Sequence, residues 1–389
     1  MHTGRTLFAQ VVKFLPRYEF QKCVTRYDGD RRVRSFTCWD HLLCLIFAQL
    51  TCRESLRDIV ACLRAVDGRL YHMGIRGTVS RSTLADANEL RDWRLYADFA
   101  QVLIREARQL YADEAFGVDL ANTVYAFDST TIDLCMALFP WARYTRTQHA
   151  LKLHPLLDLR GNIPTFIRIS AAHLHDVNVL DDLAPEAGAF YVMDRGYLDF
   201  ERLYRWTLAG AYFVTRARKN FRYDRIDARP VDKTTGVQCD QTVRLVWFYS
   251  SRGYPSDLRR IRYRDPHTDQ RFVFLTNNFT QPARVIADLY RCRWQVELFF
   301  KWIKQHLRIK AFVGTSVNAL KTQVWTAVCA YVLVAMVKKR LNLDLSLYTI
   351  LQILSVSIFE KTPILQAFSR AQHQIVEPGD YNQLRLFDI

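Results

Sequence analysis

The chain has 389 residues, half of them hydrophobic, which excludes a disordered chain and leaves room for two or three domains. Its 54 Lys and Arg outweigh 39 Asp and Glu, so the net charge of +15 predicts an acidic partner such as nucleic acid. The excess is uneven, because residues 195 to 310 carry 24 basic and 11 acidic side chains. A membrane surface is the other common polyanion, but the sequence contains no lipidation motif or basic amphipathic anchor.

The cysteines and the apolar runs indicate where the chain resides. Nine cysteines without a Cys-x2-Cys pair argue against a disulfide framework or a zinc site and favour free thiols in a reducing cytoplasm. Lys13 and Arg17 interrupt the apolar N-terminal stretch, so no signal peptide is predicted. The longest apolar run, residues 324 to 337, is short for a bilayer span and predicts a buried helix.

Residues 1 to 110 predict a helical domain. Apolar residues recur at helical spacing over 39–50 and 55–65, and Ser80 is typical of a helix N-cap. A helix-turn-helix arrangement would present three polar side chains to a DNA major groove, namely Arg81, Asn88 and Arg91. The alternative is a helical bundle whose charges meet only water.

Two short apolar runs, residues 124–127 and 189–193, predict buried strands, and an aspartate follows each of them. These aspartates are Asp128 and Asp194. A charged residue after a strand often serves only to form a turn. Two such aspartates, followed by a glutamate on a late helix, are better explained as ligands that converge on one site.

The segments around these strands complete an α/β pattern. A hairpin is predicted around residues 160–162, followed later by a helix at 200–208 and a strand at 211–216. Residues 220 to 280 contain three further β-rich runs with alternating basic residues: 243–249, 258–264 and 271–275. Trp247 is expected in the core of this segment, with stacking on an unpaired DNA base as the alternative.

Residues 283 to 308 predict one long amphipathic helix. Its polar residues fall on one narrow face: Tyr290, Arg293, Glu297 and Lys304. Its apolar residues fall broadly opposite: Leu289, Cys292, Val296, Phe299 and Ile303. Periodicity alone favours a surface helix with a salt-bridged polar side.

The spacing of those four polar residues resembles a known family. Tyr-x2-Arg-x3-Glu-x6-Lys is the signature of the IS-four family of bacterial insertion-sequence transposases, and it is complete here. The family also carries an aspartate in an Asp-Ser-Thr-like strand end and another in an Asp-Arg-Gly-Tyr segment. Asp128-Ser129-Thr130 and Asp194-Arg195-Gly196-Tyr197 match both, in the same order.

The resemblance implies an α/β fold with a ribonuclease-H-like catalytic core, a β-rich insertion and an all-helical N-terminal DNA-binding domain. The boundaries expected on this basis are 1–110 for the DNA-binding domain, 120–219 and 281–345 for the core, 220–280 for the insertion and 346–389 for a C-terminal helical region.

The resemblance also implies a catalytic role for Asp128, Asp194 and Glu297, as ligands of two Mg²⁺ or Mn²⁺ ions. Arg293 and Lys304 would bind DNA phosphates, and Tyr290 would donate a hydrogen bond to one. Three other carboxylates lack the family context: Asp133, Asp158 and Asp176. Lys152 and His154 share one face of a strand. His154 is expected to face solvent, and the sequence leaves Lys152 open.

The function implied is a DNA transposase that binds the terminal inverted repeats of its element and catalyses strand cleavage and transfer in a cut-and-paste reaction. The alternatives are a nuclease of the same fold without strand transfer, and a non-catalytic DNA-binding protein derived from a transposase. The expected partners are the element ends, target DNA and a second copy of the chain in a homodimer, with no membrane. The expected location is the bacterial cytoplasm, at the nucleoid.

Overall fold

The structure is a computed structural model that describes residues 4–66, 68, 70–135, 139–142, 145, 149–218, 221–307 and 314–373. The chain divides into two compact units, one formed by residues 1–103 and 318–389 and the other by residues 104–317. The C-terminal helices therefore belong to the same unit as the N-terminal ones, a pairing over more than 200 positions that periodicity cannot predict.

Thirteen helices occur in the described residues, apart from short 3-10 turns. They are α1 (Leu7–Val12), α2 (Arg17–Arg26), α3 (Cys38–Leu50), α4 (Leu56–Ala65), α5 (Arg81–Leu90), α6 (Trp93–Leu110), α7 (Phe200–Leu208), α8 (Phe248–Gly253), α9 (Ala283–Cys292), α10 (Gln295–Leu307), α11 (Val317–Arg340), α12 (Leu347–Ser357) and α13 (Ile364–His373). Caps match the sequence signals, since the Ser80 hydroxyl accepts the Thr83 amide at the start of α5.

In the described part of the second unit, ten strands form a single mixed sheet. They are β1 (Val124–Phe127), β2 (Thr130–Leu134), β3 (His149–Asp158), β4 (Ile163–Ala171), β5 (Phe190–Met193), β6 (Tyr212–Arg216), β7 (Tyr223–Arg229), β8 (Val237–Leu245), β9 (Leu258–Arg264) and β10 (Arg271–Thr276). The order is β2-β3-β1-β5-β6-β10-β9-β8-β7, and β4 pairs with β3. Among the strand pairs of the described residues, β1–β5 and β5–β6 are the parallel ones.

The predicted hairpin is confirmed as β3 and β4. Its turn uses Gly161 and Asn162, both with positive φ, a conformation that these two residue types tolerate best. A Cβ on Gly161 would lie 2.3 Å from the Tyr111 ring, so this position also requires a residue without a side chain. β1 and β5 are buried along their whole length, as the apolar runs predicted.

The segment 220–280 extends the same sheet through β7 to β10. Two strands begin where predicted, at Leu258 and Arg271. The run 243–249 differs, because β8 ends at Leu245 and α8 begins at Phe248. The expectation that Trp247 lies in a core is wrong, since this side chain is 56% exposed beside two further exposed aromatics, Phe248 and Tyr249.

The long amphipathic helix is two helices. α9 ends at Cys292 and α10 begins at Gln295, so the prediction of a single helix was wrong at this point. The amides of Arg293 and Glu297 bond three residues back, to Tyr290 and Trp294, which tightens the backbone at the junction. The predicted apolar face is confirmed as buried. Arg308, at the end of the predicted helix, lies outside the described residues.

The apolar run 324–337 lies inside α11, which is longer than the sequence suggested. By length and composition alone this 24-residue helix could cross a membrane, contrary to the expectation from the run itself. However, 94% of its most apolar window is buried within the protein. The prediction of a buried helix is therefore confirmed.

A buried polar network connects three elements of the first unit. The Tyr96 hydroxyl lies 2.6 Å from His41 Nδ1, and His41 Nε2 lies 2.9 Å from Asn88 Oδ1. A neutral imidazole satisfies both contacts when the Tyr96 hydroxyl donates to Nδ1 and Nε2 donates to the amide oxygen. Burial lowers the pKa of His41 to about 3.

This burial makes a prediction about acid stability. Below about pH 6.5 the unfolded chain protonates His41 while the folded chain does not, so His41 lowers the free energy of unfolding as pH falls. We expect a loss of about 1.4 kcal/mol per pH unit from this residue in that range. Chemical unfolding at pH 7.5 and 5.5 measures the change. His41→Gln should show a smaller pH dependence than the parent, and equal dependence in both proteins would contradict the assignment.

Candidate functional site

The two strand-terminal aspartates meet at one edge of the sheet. β1 and β5 are parallel neighbours, and their last paired residues are Phe127 and Met193. Asp128 and Asp194 follow these residues directly, so the two carboxylates leave adjacent strands at the same level. The carboxyl ends of parallel strands are where α/β sheets bind ligands.

Tyr290 of α9 lies against the second aspartate. Its hydroxyl donates to Asp194 Oδ1 at 3.2 Å, and its ring packs on Phe274 of β10 with centroids 4.8 Å apart. Burial raises the pKa of Tyr290 to about 12, so the group remains a neutral donor. In this structure the signature tyrosine therefore orients a carboxylate.

Arg293 joins the other two carboxylates. Its Nη1 donates to Asp128 Oδ2 in a very short contact, and its Nη2 donates to Glu297 Oε1 at 3.0 Å. The side chains of Arg293 and Asp128 are each 19% exposed, whereas that of Glu297 is 60% exposed. The guanidinium thus occupies the space between a strand-end carboxylate and a helix carboxylate.

The electrostatics of Asp128 show that these groups form one cluster. Burial raises the pKa of its carboxyl, Arg293 and the Ser129 amide act to lower it, and Asp194 and Glu297 raise it further by charge repulsion. The Ser129 amide donates to Asp128 Oδ1 at 2.8 Å. The Asp128 carboxylate therefore interacts electrostatically with the other two, and Arg293 provides the compensating positive charge.

The other two signature residues, Glu297 and Lys304, are exposed on α10. Glu297 lies in the first turn of α10, a helix that packs against β1. Lys304 is exposed about two turns further along the same helix. The described residues contain no group of three His, Cys, Asp or Glu side chains arranged to hold a metal ion as they stand.

The three N-terminal residues predicted to contact DNA lie in different environments. Asn88 is fully buried in the His41 network, so a groove contact from this side chain was a wrong prediction. Arg91 donates to the carbonyl oxygens of Phe36 and Thr37, which ties it to the fold of the unit. Arg81 is exposed at the start of α5 and stays a prediction.

The carboxylates outside the family motifs have structural partners. Asp158 pairs with Arg108 at 3.2 Å and accepts the Arg160 amide. Asp176 accepts Lys152 Nζ at 2.9 Å, which places the lysine that the sequence left open. Asp133 is exposed on β2.

The expectation that His154 faces solvent is wrong. The side chain is fully buried and its Nε2 lies 2.9 Å from Ser170 Oγ. Burial lowers its pKa to about 4, so the imidazole is neutral near pH 7.

Sequence reasoning missed two residues at the same edge. Arg216 ends β6, and continuing the β5–β6 register places it beside Asp194. Its guanidinium lies 5.2 Å from the Phe272 ring centroid. Tyr197 is buried below the site with its ring 4.8 Å from Phe127. The available signals were the charged end of a predicted strand for Arg216 and the Asp-Arg-Gly-Tyr segment for Tyr197.

Comparison with known proteins identifies the class of protein to which this chain belongs. Residues 120–333 match a family described as "Transposase DDE domain", and residues 3–76 match a "Domain of unknown function (DUF4372)". The chain is 31% identical over 286 residues to the Sinorhizobium fredii protein named "Putative transposase y4zB", covering 72% of this chain and 78% of that protein.

A second relative is the "Probable transposase for insertion sequence element IS5377" of Geobacillus stearothermophilus. It is 33% identical over 228 residues, covering 56% of this chain and 59% of the relative. Among solved structures, a piggyBac transposase synaptic complex with hairpin DNA aligns with a TM-score of 0.46 and 9% identity, over 98% of this chain and 87% of that one. Similarity at this level carries no argument.

The sheet, the strand-end aspartates and the matched family define a DDE-class enzyme. The chain belongs to the Transposase DDE domain family, and it is a DNA transposase of an insertion sequence.

Proposed function

We propose that this transposase belongs to the IS-four family and carries out strand cleavage and transfer at Asp128, Asp194 and Glu297. The observation that carries the proposal is the arrangement of these three side chains. Two follow paired residues of adjacent parallel strands, and the third is joined to Asp128 through one guanidinium. A strand-transfer assay with end DNA and a target plasmid tests it, because a nuclease would cut without joining.

The proposed core is ribonuclease-H-like. The strand order β4-β3-β1-β5-β6 supports this assignment. In this order β3 is antiparallel to β1, whereas β5 and β6 are parallel to β1. On this view β7 to β10 are the insertion, attached to the core sheet through the pairing of β10 with β6.

The donor chemistry of the site fits a hard divalent cation. Asp128 and Glu297 already bind a cation, the guanidinium of Arg293, and carboxylate oxygens are the ligands that Mg²⁺ and Mn²⁺ prefer. We propose two such ions, held by Asp128, Asp194 and Glu297. When bound, they would supply electrophilic stabilisation of the attacking and leaving oxygens at phosphorus.

The other side chains of the site position the reactants. Tyr290 holds Asp194 by its hydroxyl, and burial of its ring fixes that geometry. Lys304 provides a positive charge on the exposed face of α10, and Arg216 provides one at the end of β6. DNA phosphates would be held at these two positions.

The first unit is proposed to recognise the element ends through a basic loop and the start of α5. Arg31, Arg32 and Arg34 are exposed. This loop and α5 line one cleft of about 480 Å³. Two acidic residues, Asp28 and Asp86, line this cleft together with the arginines. Three other nearby carboxylates have partners within the unit: Asp30 accepts the Cys38 amide, Asp92 pairs with Arg94, and Asp98 pairs with Arg26. The proposed phosphate contacts come from the exposed arginines of the loop and from Arg81 at the start of α5.

Arg31→Ala with Arg34→Ala tests this surface. Loss of two phosphate contacts should weaken binding of end DNA and reduce the slope of log affinity against log salt by about 2. Fluorescence anisotropy of the full chain over a salt series measures both. An isolated segment 1–110 is unsuitable, because α1 and α3 pack against α12.

The matched control is Arg57→Ala with Arg64→Ala. These arginines are also exposed in the first unit, on α4. The control should retain the parental slope, and an equal change in both double variants would remove recognition from the loop.

The assembly and location are also proposals. A homodimer would supply one catalytic site for each end of the element and would then engage target DNA. We propose that no membrane is involved, supported by burial of the apolar window of α11. We propose the bacterial cytoplasm, at the nucleoid, as the location, supported by nine cysteines without a Cys-x2-Cys pair and a net charge of +15.

A further inference from the structure

Arg293 is held in an incomplete arrangement. A guanidinium has five N–H donors, and this one directs Nη1 to Asp128 and Nη2 to Glu297. Its Nε is buried and has no hydrogen-bond partner among the residues that the structure describes. A phosphate oxygen would satisfy such a donor, because guanidinium and phosphate form paired, charge-assisted hydrogen bonds.

A guanidinium and a divalent cation held by the same carboxylates repel each other and crowd the same space. Arg293 engages one oxygen of Asp128 and one of Glu297, the groups proposed as ligands. The other oxygen of Asp128 accepts the Ser129 amide. This occupancy agrees with the finding that no described carboxylate group is arranged to receive an ion as it stands. Arg293 and the metal therefore compete.

The backbone at Arg293 is where the helix is interrupted. The residue lies between α9 and α10, and its amide bonds to Tyr290 three residues back. Such local tightening within a helix often marks a hinge. A change in direction of this side chain would therefore disturb neither helix interior.

We propose that Arg293 is the counter-ion of the acidic site without DNA, and that a DNA phosphate draws it away to admit the metal. The inference rests on the proposed function, because the carboxylates must be metal ligands. It makes DNA binding and metal binding mutually favourable, since each relieves the competition that opposes the other. Metal loading is thereby favoured in the DNA-bound protein.

The test is Mn²⁺ titration by calorimetry of the parent and of Arg293→Ala, each with and without a pre-cleaved end duplex that does not turn over. In the parent, the duplex should raise Mn²⁺ affinity about tenfold, within the usual range for coupled sites. In Arg293→Ala, affinity without DNA should already be raised to a similar extent, and the duplex should add less than about twofold. Parental Mn²⁺ affinity in the DNA-free variant, or full coupling in it, would overturn the proposal.

Two further variants make the result specific. Arg291→Ala removes an exposed arginine of α9 that pairs with Asp288 at 3.3 Å, and it should keep parental coupling. Glu297→Gln separates the two levels of inference. If it weakens Mn²⁺ binding while Arg293→Ala behaves like the parent, the counter-ion role fails and the metal site stands. If both bind Mn²⁺ like the parent, the metal assignment itself fails. Arg293→Gln answers the same question if the alanine variant does not fold.

Discussion

Glu297→Gln is expected to abolish strand cleavage and joining while DNA binding persists. The substitution keeps the shape of the side chain and removes one negative ligand of the proposed metal site. A metal ion supplies several kcal/mol of transition-state stabilisation, and loss of about 4 kcal/mol corresponds to about a thousandfold in rate. End binding should persist or strengthen, because a 60% exposed carboxylate that repels phosphates has been removed.

A strand-transfer assay and a binding titration on the same preparation measure the two properties. Glu201→Gln is the matched control, since Glu201 is an exposed glutamate in the first turn of α7. It should join ends at the parental rate. Joining at the parental rate by Glu297→Gln would show that Glu297 is not a ligand, and a solvated helix face would then be the better description.

The sequence predicts the site where a local pattern also marks a position in the sheet. Apolar runs identified β1 and β5, and a following aspartate marks a carboxyl end in each case. Sequence order cannot state that these strands are adjacent and parallel, which is what brings Asp128 and Asp194 together. The family signature provided Glu297, because helical periodicity alone describes an ordinary salt-bridged surface.

The failures have physical causes of their own. Asn88 reads as a polar residue on a short helix, but its burial depends on His41, which lies 47 positions away. His154 lies on a strand whose residues are nearly all buried, and its Nε2 contacts Ser170 of the paired strand. Trp247 was assigned to a core on hydrophobicity, which does not distinguish a buried strand residue from one beyond the strand end. For Asn88 and His154 a contact with another element decides the burial, whereas for Trp247 the end of β8 decides the exposure.

The helix junction shows a third limit. The signature residues share one face of an ideal helix, which predicts a shared surface but not a shared target. The structure instead directs Tyr290 to Asp194, and Arg293 to both Asp128 and Glu297. Lys304 remains exposed on α10. The carboxylate contacts follow from the strands that α9 and α10 pack against, which lie far away in sequence.

Metal removal should have an effect as large as the loss of Glu297. We expect cleavage of end DNA in Mg²⁺ or Mn²⁺ and none in chelator, because the carboxylates at the strand ends would hold the ions that stabilise the attacking and leaving oxygens. Full activity in a metal-free preparation would overturn the assignment.

Asp194→Cys tests direct coordination by the second aspartate. A thiolate is a softer ligand than a carboxylate, so Mg²⁺ should bind poorly and activity should fall by about a thousandfold, with partial recovery in Mn²⁺. Asp199→Cys is the comparison. Asp199 lies five residues after Asp194, where it caps α7 and accepts the Arg202 amide. That variant should lose about 1 kcal/mol of stability as a cap and show no difference between the two ions. Recovery in Mn²⁺ by Asp194→Cys alone would identify a ligand. Equal activity of Asp194→Cys in both ions would place Asp194 outside the metal site and leave it a partner of Tyr290.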